Sequence, residues 1–319
     1  MSVNLTDPIF HDEEAARAYF ETIRWPDGVA SCPHCGVSGE NTRVMGKSHR
    51  PGLIQCNACL KPFTVTVGSV MESSHVPLHK WALAFRLMAS SKKGVSAHQL
   101  MRSLGLGSYR TAWFMAHRVR EAMAESDPEP LGGKGKTVEV DETFIGKPEK
   151  MFISGKGWQA RDRNGSTKSK VLTMVERGGR SVSVKVEDFT MPTIKRVLGK
   201  HIVLDSTLNT DEARHYKQPG AAFDRHYAVN HSSEEYSRQE SDGTKTTTNT
   251  VEGFFGIFKR GMKGVYHHCG EQHLQAYLNE FDFRYSNRTK LGVDDTERTS
   301  RAIKGAEGKR LTYKQPRSA

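Results

Sequence analysis

No stretch of this 319-residue chain approaches the roughly 18 consecutive apolar residues that a membrane-crossing helix needs. The segment from Met1 to Phe20 has no apolar core and carries adjacent acids, Glu13 and Glu14, so no secretory signal is expected. Cysteine is scarce. Four of the five cysteines fall in two CxxC pairs, which points to a metal site in a reducing compartment and away from a disulfide framework. Acid is short relative to base: 36 Asp and Glu face 47 Lys and Arg, for a formal charge of +11 and a pI of about 9.4. That excess favours polyanionic partners. Hydrophobic residues still make up 36% of the chain, enough for an ordinary core. There is no internal repeat at solenoid spacing. The expectation is a basic, soluble, cytoplasmic protein of roughly two domains at about 150 residues each.

Composition shifts divide the sequence further. Residues 1–75 hold a short acidic helical stretch and then a Cys-, Gly- and Pro-rich segment. Residues 76–126 read as helix, with Trp81, Phe85, Met88, Leu100 and Leu104 at helical spacing. A Pro- and Gly-rich linker follows, from Ser126 to Lys136, which no helix would cross. Residues 127–290 alternate between β-type runs (137–145, 170–175, 181–189, 201–204) and helical patterns (191–198, 249–262, 271–285). Residues 291–319 are polar without periodicity and read as a flexible tail.

Cys32-Pro-His-Cys35 and Cys56-Asn-Ala-Cys59 form two thiolate turns, and two such turns complete a tetrahedral sulfur shell around zinc. With short strand candidates at 42–45, 53–55 and 63–67, this is the pattern of a zinc ribbon. Four thiolates on one Zn²⁺ contribute on the order of 10 kcal/mol, enough to fold a piece too small to hold a core alone. His34 lies inside the first turn but is surplus to a closed shell, and Cys269, alone, reads as a small hydrophobe.

Ser96-Ala-His-Gln99 has the form of a capping box, and Ser108 is placed to start a second helix beyond Gly105-Leu-Gly107. Two short helices across a Gly-containing turn, the second bearing Arg110, Arg118 and Arg120, fit a helix-turn-helix that contacts DNA.

In Val138-Glu-Val-Asp141 the acids alternate with valines along an expected strand, and an acid in an apolar strand is costly unless a cation or donor meets it. A first Asp on the first strand, a second near the fourth and a third acid on a late helix is the plan of ribonuclease-H-like polynucleotidyl transferases. Three such groups can hold two divalent ions for in-line phosphoryl displacement. Because Ile202-Val-Leu204 leads into Asp205, that residue is the strand-end acid by pattern alone.

Longer motifs carry a resemblance. Thr248-Asn-Thr-Val-Glu252 through Lys259-Arg260, Gly264 to His268, Tyr277 to Tyr285, Val140-Asp-Glu-Thr143, Thr210-Asp-Glu-Ala213 with Tyr216, and Val229-Asn-His231 resemble DDE-type insertion-sequence transposases with an N-terminal zinc ribbon, an ISXO-like family. The resemblance spans about residues 10–288. It implies an α/β ribonuclease-H-like catalytic domain behind the zinc ribbon and helix-turn-helix. It also implies catalytic Mg²⁺ or Mn²⁺, and DNA as partner: terminal inverted repeats bound, strands cleaved and transferred. A homo-oligomer on DNA in a bacterial nucleoid is expected with it. The resemblance assigns the second Asp to Asp211 in place of Asp205, beside Asp141. For the third position Glu252 is favoured over Asn249, which shares its helix face and stands for the final acid in some relatives. Thr247 occupies a position where relatives commonly carry His. Lys259, Arg260 and Lys263 fit a phosphate clamp beside the metal site, with Lys259 counted among the catalytic residues. The competing expectation is a catalytically inactive or domesticated relative acting as a DNA-binding regulator. The presence of Asp141, Asp211 and Glu252 favours the enzyme.

Overall fold

Asp12 accepts the amide of Ala15 at 2.7 Å and so begins helix α1 (Glu13–Arg24), whose buried Ala16 and Phe20 form its inward face. A computed structural model describes residues 4–46, 48–146, 150–155, 157–160 and 168–312. The chain divides into two units, one of residues 1–91, 95–125 and 288–319, the other of residues 92–94 and 126–287.

In the first unit α1 leads into a three-stranded antiparallel sheet of β1 (Thr42–Val44), β2 (Ile54–Cys56) and β3 (Pro62–Phe63). The strand expected over 63–67 stops at Phe63. Arg24 takes the carbonyls of Val65 and Val67 at 2.6 and 2.7 Å, the acceptors a ladder partner would need. Helix α2 (Leu78–Ser90) buries Trp81, Phe85 and Met88, and Phe85 meets Phe20 edge-on at 6.3 Å. Ser96 caps α3 (Ala97–Ser103) through the amide of Gln99, and Gly105, at φ 57°, turns the chain toward α4 (Tyr109–Met123). Ser108 stands at the start of α4 but makes no side-chain cap bond.

The second unit is built on a mixed five-stranded sheet. Its strands are β4 (Thr137–Ile145), β7 (Ser169–Glu176), β8 (Ser181–Val186), β9 (Thr207–Asp211) and β10 (Arg225–Val229). Between β4 and β7 lies a hairpin of β5 (Lys150–Ile153) and β6 (Gly157–Ala160). The order is β10-β9-β4-β7-β8, with β4, β7 and β8 antiparallel in succession and β9 and β10 parallel to β4. Parallel neighbours need crossovers. Helix α5 (Met191–His201) precedes β9, and α6 (Arg214–Gly220) joins β9 to β10. Val138, Val140, Leu172 and Met174 pack under Ile194, Val197 and Leu198 of α5. A small ribbon of β11 (Ser237–Gln239) and β12 (Lys245–Thr247) then leads to α7 (Asn249–Gly261) and α8 (Leu274–Ser286). The opposite sheet face, Val171 and Val175, is covered by Val251, Phe254, Phe258, Leu278 and Phe281 of these two helices.

Two sequence expectations need correction. The run 201–204 is no strand: Ile202 bridges to Leu131, Val203 donates to the Leu131 carbonyl, and Leu204 is exposed. The ladder begins only at Thr207, which moves the strand end to Asp211. Nor is the stretch after residue 290 a tail. Asp294 caps helix α9 (Asp295–Lys304), which buries Thr299, Ala302 and Ile303 within the first unit. Beyond it, Glu307 bridges to Ser69, and the Lys309 ammonium donates to the carbonyls of Glu121, at 3.0 Å, and Ala124 at the end of α4. Only two apolar side chains anchor this helix, too few to produce a visible period in so charged a segment. Among the described residues no helix is long and apolar enough to cross a membrane.

Candidate active site and metal centre

The two CxxC turns meet. Cys32 and Cys59 Sγ atoms lie 3.7 Å apart, Cys35 and Cys56 3.6 Å apart, and one sulfur from each of the four falls within 4.8 Å of all the others. The antiparallel pairing of Thr42 with Cys56 brings the second turn back onto the first. Four soft donors converging on one point fit a structural zinc.

The second cluster lies at a fork in the large sheet. The parallel ladder between β4 and β9 ends at the pair Glu139 and Asn209. Asp141 and Asp211 each follow that last pair by two residues, so both lie just past the carboxyl end of the parallel ladder. Asp211 is the last residue of β9, and Asp141 stands midway along β4, which continues against β7 to Ile145. The end of a parallel ladder is where open α/β sheets bind ligands. Glu142 joins them, with one ligand oxygen from each of Asp141, Glu142 and Asp211 within 4.8 Å of the others. Asp205, in the turn before β9, sits at the other end of that strand. Burial, then the Glu142 charge, then Asp211 and Glu252 push the Asp141 carboxyl up to about 7. Asp211 is raised by burial and by the charges of Glu142 and Glu212. Carboxylates crowded this closely are ionised together only when cations offset their repulsion. Hard oxygen donors in that arrangement fit a divalent ion such as Mg²⁺ or Mn²⁺.

Helix α6 holds Glu142 in place. The Tyr216 hydroxyl donates to one carboxylate oxygen, and His215 Nε2 lies 3.5 Å from the other. That contact with Glu142 raises the His215 pKa. Asp211 accepts the amide of Ala213 at 3.0 Å, and Glu212 accepts the amides of His231 and Ser232, tying the loop after β10 to the end of β9.

The acid that opens the β4 pattern has another task. Glu139, fully buried, accepts the amides of Thr250 and Val251 at 2.7 and 3.2 Å, the Thr250 hydroxyl at 2.8 Å, and Arg177 at 2.8 and 3.0 Å. It closes the otherwise unsatisfied first turn of α7, where the helix dipole favours a negative charge. Glu252, on that turn, stands outside the carboxylate cluster with its side chain 46% exposed. Its Oε1 accepts the Thr248 hydroxyl at 3.1 Å and lies 3.6 Å from His231 Nε2. Asn249 is exposed on the same turn. Lys259 and Arg260 are exposed at the far end of α7, Lys259 over the Phe255 ring at 5.4 Å and Arg260 bonded to the Gly256 carbonyl, and Lys263 is exposed just beyond.

On α4, Arg110 is exposed, but Arg118 lies over the Phe114 ring at 4.7 Å and Arg120 is only 2% exposed. Arg120 is therefore corrected from a DNA contact to a core residue; helical spacing turns it inward with Ala116 and Met123. Glu142, Tyr216 and His231 stand within the quoted motifs, whereas His215 and Arg177 carry no sequence signal of their roles. Arg177 meets Glu139 across 38 residues of sequence and Tyr216 meets Glu142 across 74, so no local pattern reveals these pairings.

Residues 130–286 match the ISXO2-like transposase domain, and residues 11–61 match the transposase zinc-ribbon domain. An uncharacterized protein in transposable element ISH50 of Halobacterium salinarum is 26% identical over 298 residues, spanning 89% of this chain and 95% of the relative. The Drosophila P element transposase strand transfer complex aligns at 11% identity and a TM-score of 0.24, over 70% of this chain and 62% of that one. That superposition is too loose to bear on the fold. On its two matched domains and the motifs that join them, the chain belongs to the ISXO2-like, DDE-type insertion-sequence transposases with an N-terminal zinc ribbon.

Proposed function

We propose that this transposase binds the terminal inverted repeats of its element and catalyses metal-dependent cleavage and transfer of DNA strands. The observation that carries the catalytic half is the convergence of Asp141, Glu142 and Asp211 at the fork between β4 and β9. Asp141 and Asp211 hold the divalent ions in this reading, with Glu142 as a third oxygen donor and Glu252 supplying a further carboxylate from α7. Such ions, when bound, activate a water or 3′-hydroxyl and steady the leaving oxygen. His215 and Tyr216 orient Glu142, and Lys259, Arg260 and Lys263 clamp phosphate along α7.

The sheet order, with β4 central between an antiparallel and a parallel half, supports a ribonuclease-H-like reading of residues 127–290. Residues 1–75 and 76–126 act as ribbon and helix-turn-helix readers of the element ends, with Arg110 as the outward cation of α4. DNA held at two ends calls for a homo-oligomer, with Zn²⁺ in the ribbon and Mg²⁺ or Mn²⁺ at the fork. The test is cleavage of DNA carrying the element ends. Asp141→Asn and Asp211→Asn should abolish cleavage and strand transfer while end binding persists, and Asp205→Asn should keep most activity. An active Asp211→Asn protein overturns the assignment.

A further inference from the structure

We propose that the β5–β6 hairpin is a stacking platform for unpaired bases of the DNA on which the fork acts; this rests on DNA being the substrate. Phe152 and Trp158 stand directly opposite each other in the hairpin register, with ring centroids 5.8 Å apart and planes at 70°. Both are open to solvent, at 63% and 67%. Trp25 and Trp81 are buried and Trp113 is half-buried, so Trp158 alone among the tryptophans offers an open face.

A cross-strand aromatic pair steadies a hairpin only modestly. That gain needs no indole standing in water, since β-branched pairs supply it too. The charge of this stretch of sequence selects the occupant. The sequence over 147–170 holds seven Lys or Arg and two acids. A second copy of the chain would bring the same positive stretch against itself. A polyanion would neutralise it, and bases have π faces that stack on aromatic side chains, provided they are unpaired. The hairpin also follows β4 directly. Ten residues separate Glu142 from Phe152, so the pair lies within about 35 Å of the carboxylates along the chain.

The test uses the full-length protein with two probes: a short thymidine homo-oligonucleotide and a blunt duplex of the same length. Trp158→Ala should bind the oligonucleotide about tenfold more weakly, and Trp158→Phe should retain most of the affinity. The salt dependence should keep its slope in both variants, because no charge has changed. Tryptophan emission should be quenched by the oligonucleotide in the wild type and not in Trp158→Phe, a readout independent of any folding defect in the alanine variant. Duplex binding should be unaffected. Unchanged oligonucleotide affinity in Trp158→Ala with no quenching in the wild type overturns the proposal. So does a Trp158→Ala protein that binds DNA normally but sediments as a smaller species, which would make the hairpin a contact between copies. If the wild type quenches but cuts no element-end DNA, the catalytic reading fails and the platform stands.

Discussion

The Glu139 carboxylate accepts the Thr250 amide at 2.7 Å, and through that bond the strand carrying Asp141 fixes the start of the helix carrying Glu252. Arg177, in the turn just after β7, balances the buried charge and also donates to the Lys245 carbonyl just before α7. Two acids two residues apart on one strand thus divide the work, one holding the helix and the other facing the fork.

Removing that anchor should be expensive. Glu139→Ala leaves Arg177 and two helix amides without their acceptor, and breaking such a buried pair costs about 3–5 kcal/mol. Glu139→Gln keeps one acceptor oxygen but turns an amide nitrogen toward donors, so an intermediate loss is expected. Denaturant unfolding of the full chain measures both, and a Glu139→Ala protein within about 1 kcal/mol of the wild type would refute the role.

The raised Asp141 carboxyl gives the metal-free protein a characteristic pH response. Its folded pKa of about 7 lies above its ordinary value of 3.8, so the folded state holds a proton that the unfolded chain releases. The resulting stability is full below about pH 4 and is lost as pH rises toward 7. Chelated wild type should therefore weaken over that range more than Asp141→Asn does, and added Mg²⁺ should restore the wild type alone. Parallel stability curves for the two proteins would count against the crowded-carboxylate account.

One zinc per chain is expected by elemental analysis, lost in the Cys56→Ser/Cys59→Ser double variant. The ribbon should then open, seen as rapid proteolysis between residues 30 and 62, because four-thiolate binding supplies the energy that its three short strands do not. A metal-free protein with an intact ribbon would end this reading.

The C-terminal segment should prove integral to the N-terminal unit. Ile303→Ala is expected to cost about 3 kcal/mol, as for other buried aliphatic truncations. Deleting residues 288–319 should leave α2 and α4 without their α9 and Lys309 contacts and lower the melting midpoint further. Retention of the full midpoint after deletion would show that α9 is dispensable.

The sequence alone determined the local chemistry. Cysteine spacing specified the ribbon, alternation specified β4 and the buried sides of its valines, and the capping pattern started α3 at Ser96. Charge balance pointed to a polyanionic partner, and the motifs specified the family. These features follow from residue type and short-range spacing, which act without reference to distant parts of the chain. Tertiary structure decided what depends on partners far away. It placed Asp211 at the fork and Asp205 at the opposite strand end, because the start of the β9 ladder depends on its pairing with β4 and β10. It drew Glu142 in through Tyr216 and His215, gave Glu139 a helix to hold, and turned Arg120 into the core. It also bound α9 into the N-terminal unit, where the burial of two side chains outweighs a composition that reads as solvent-loving.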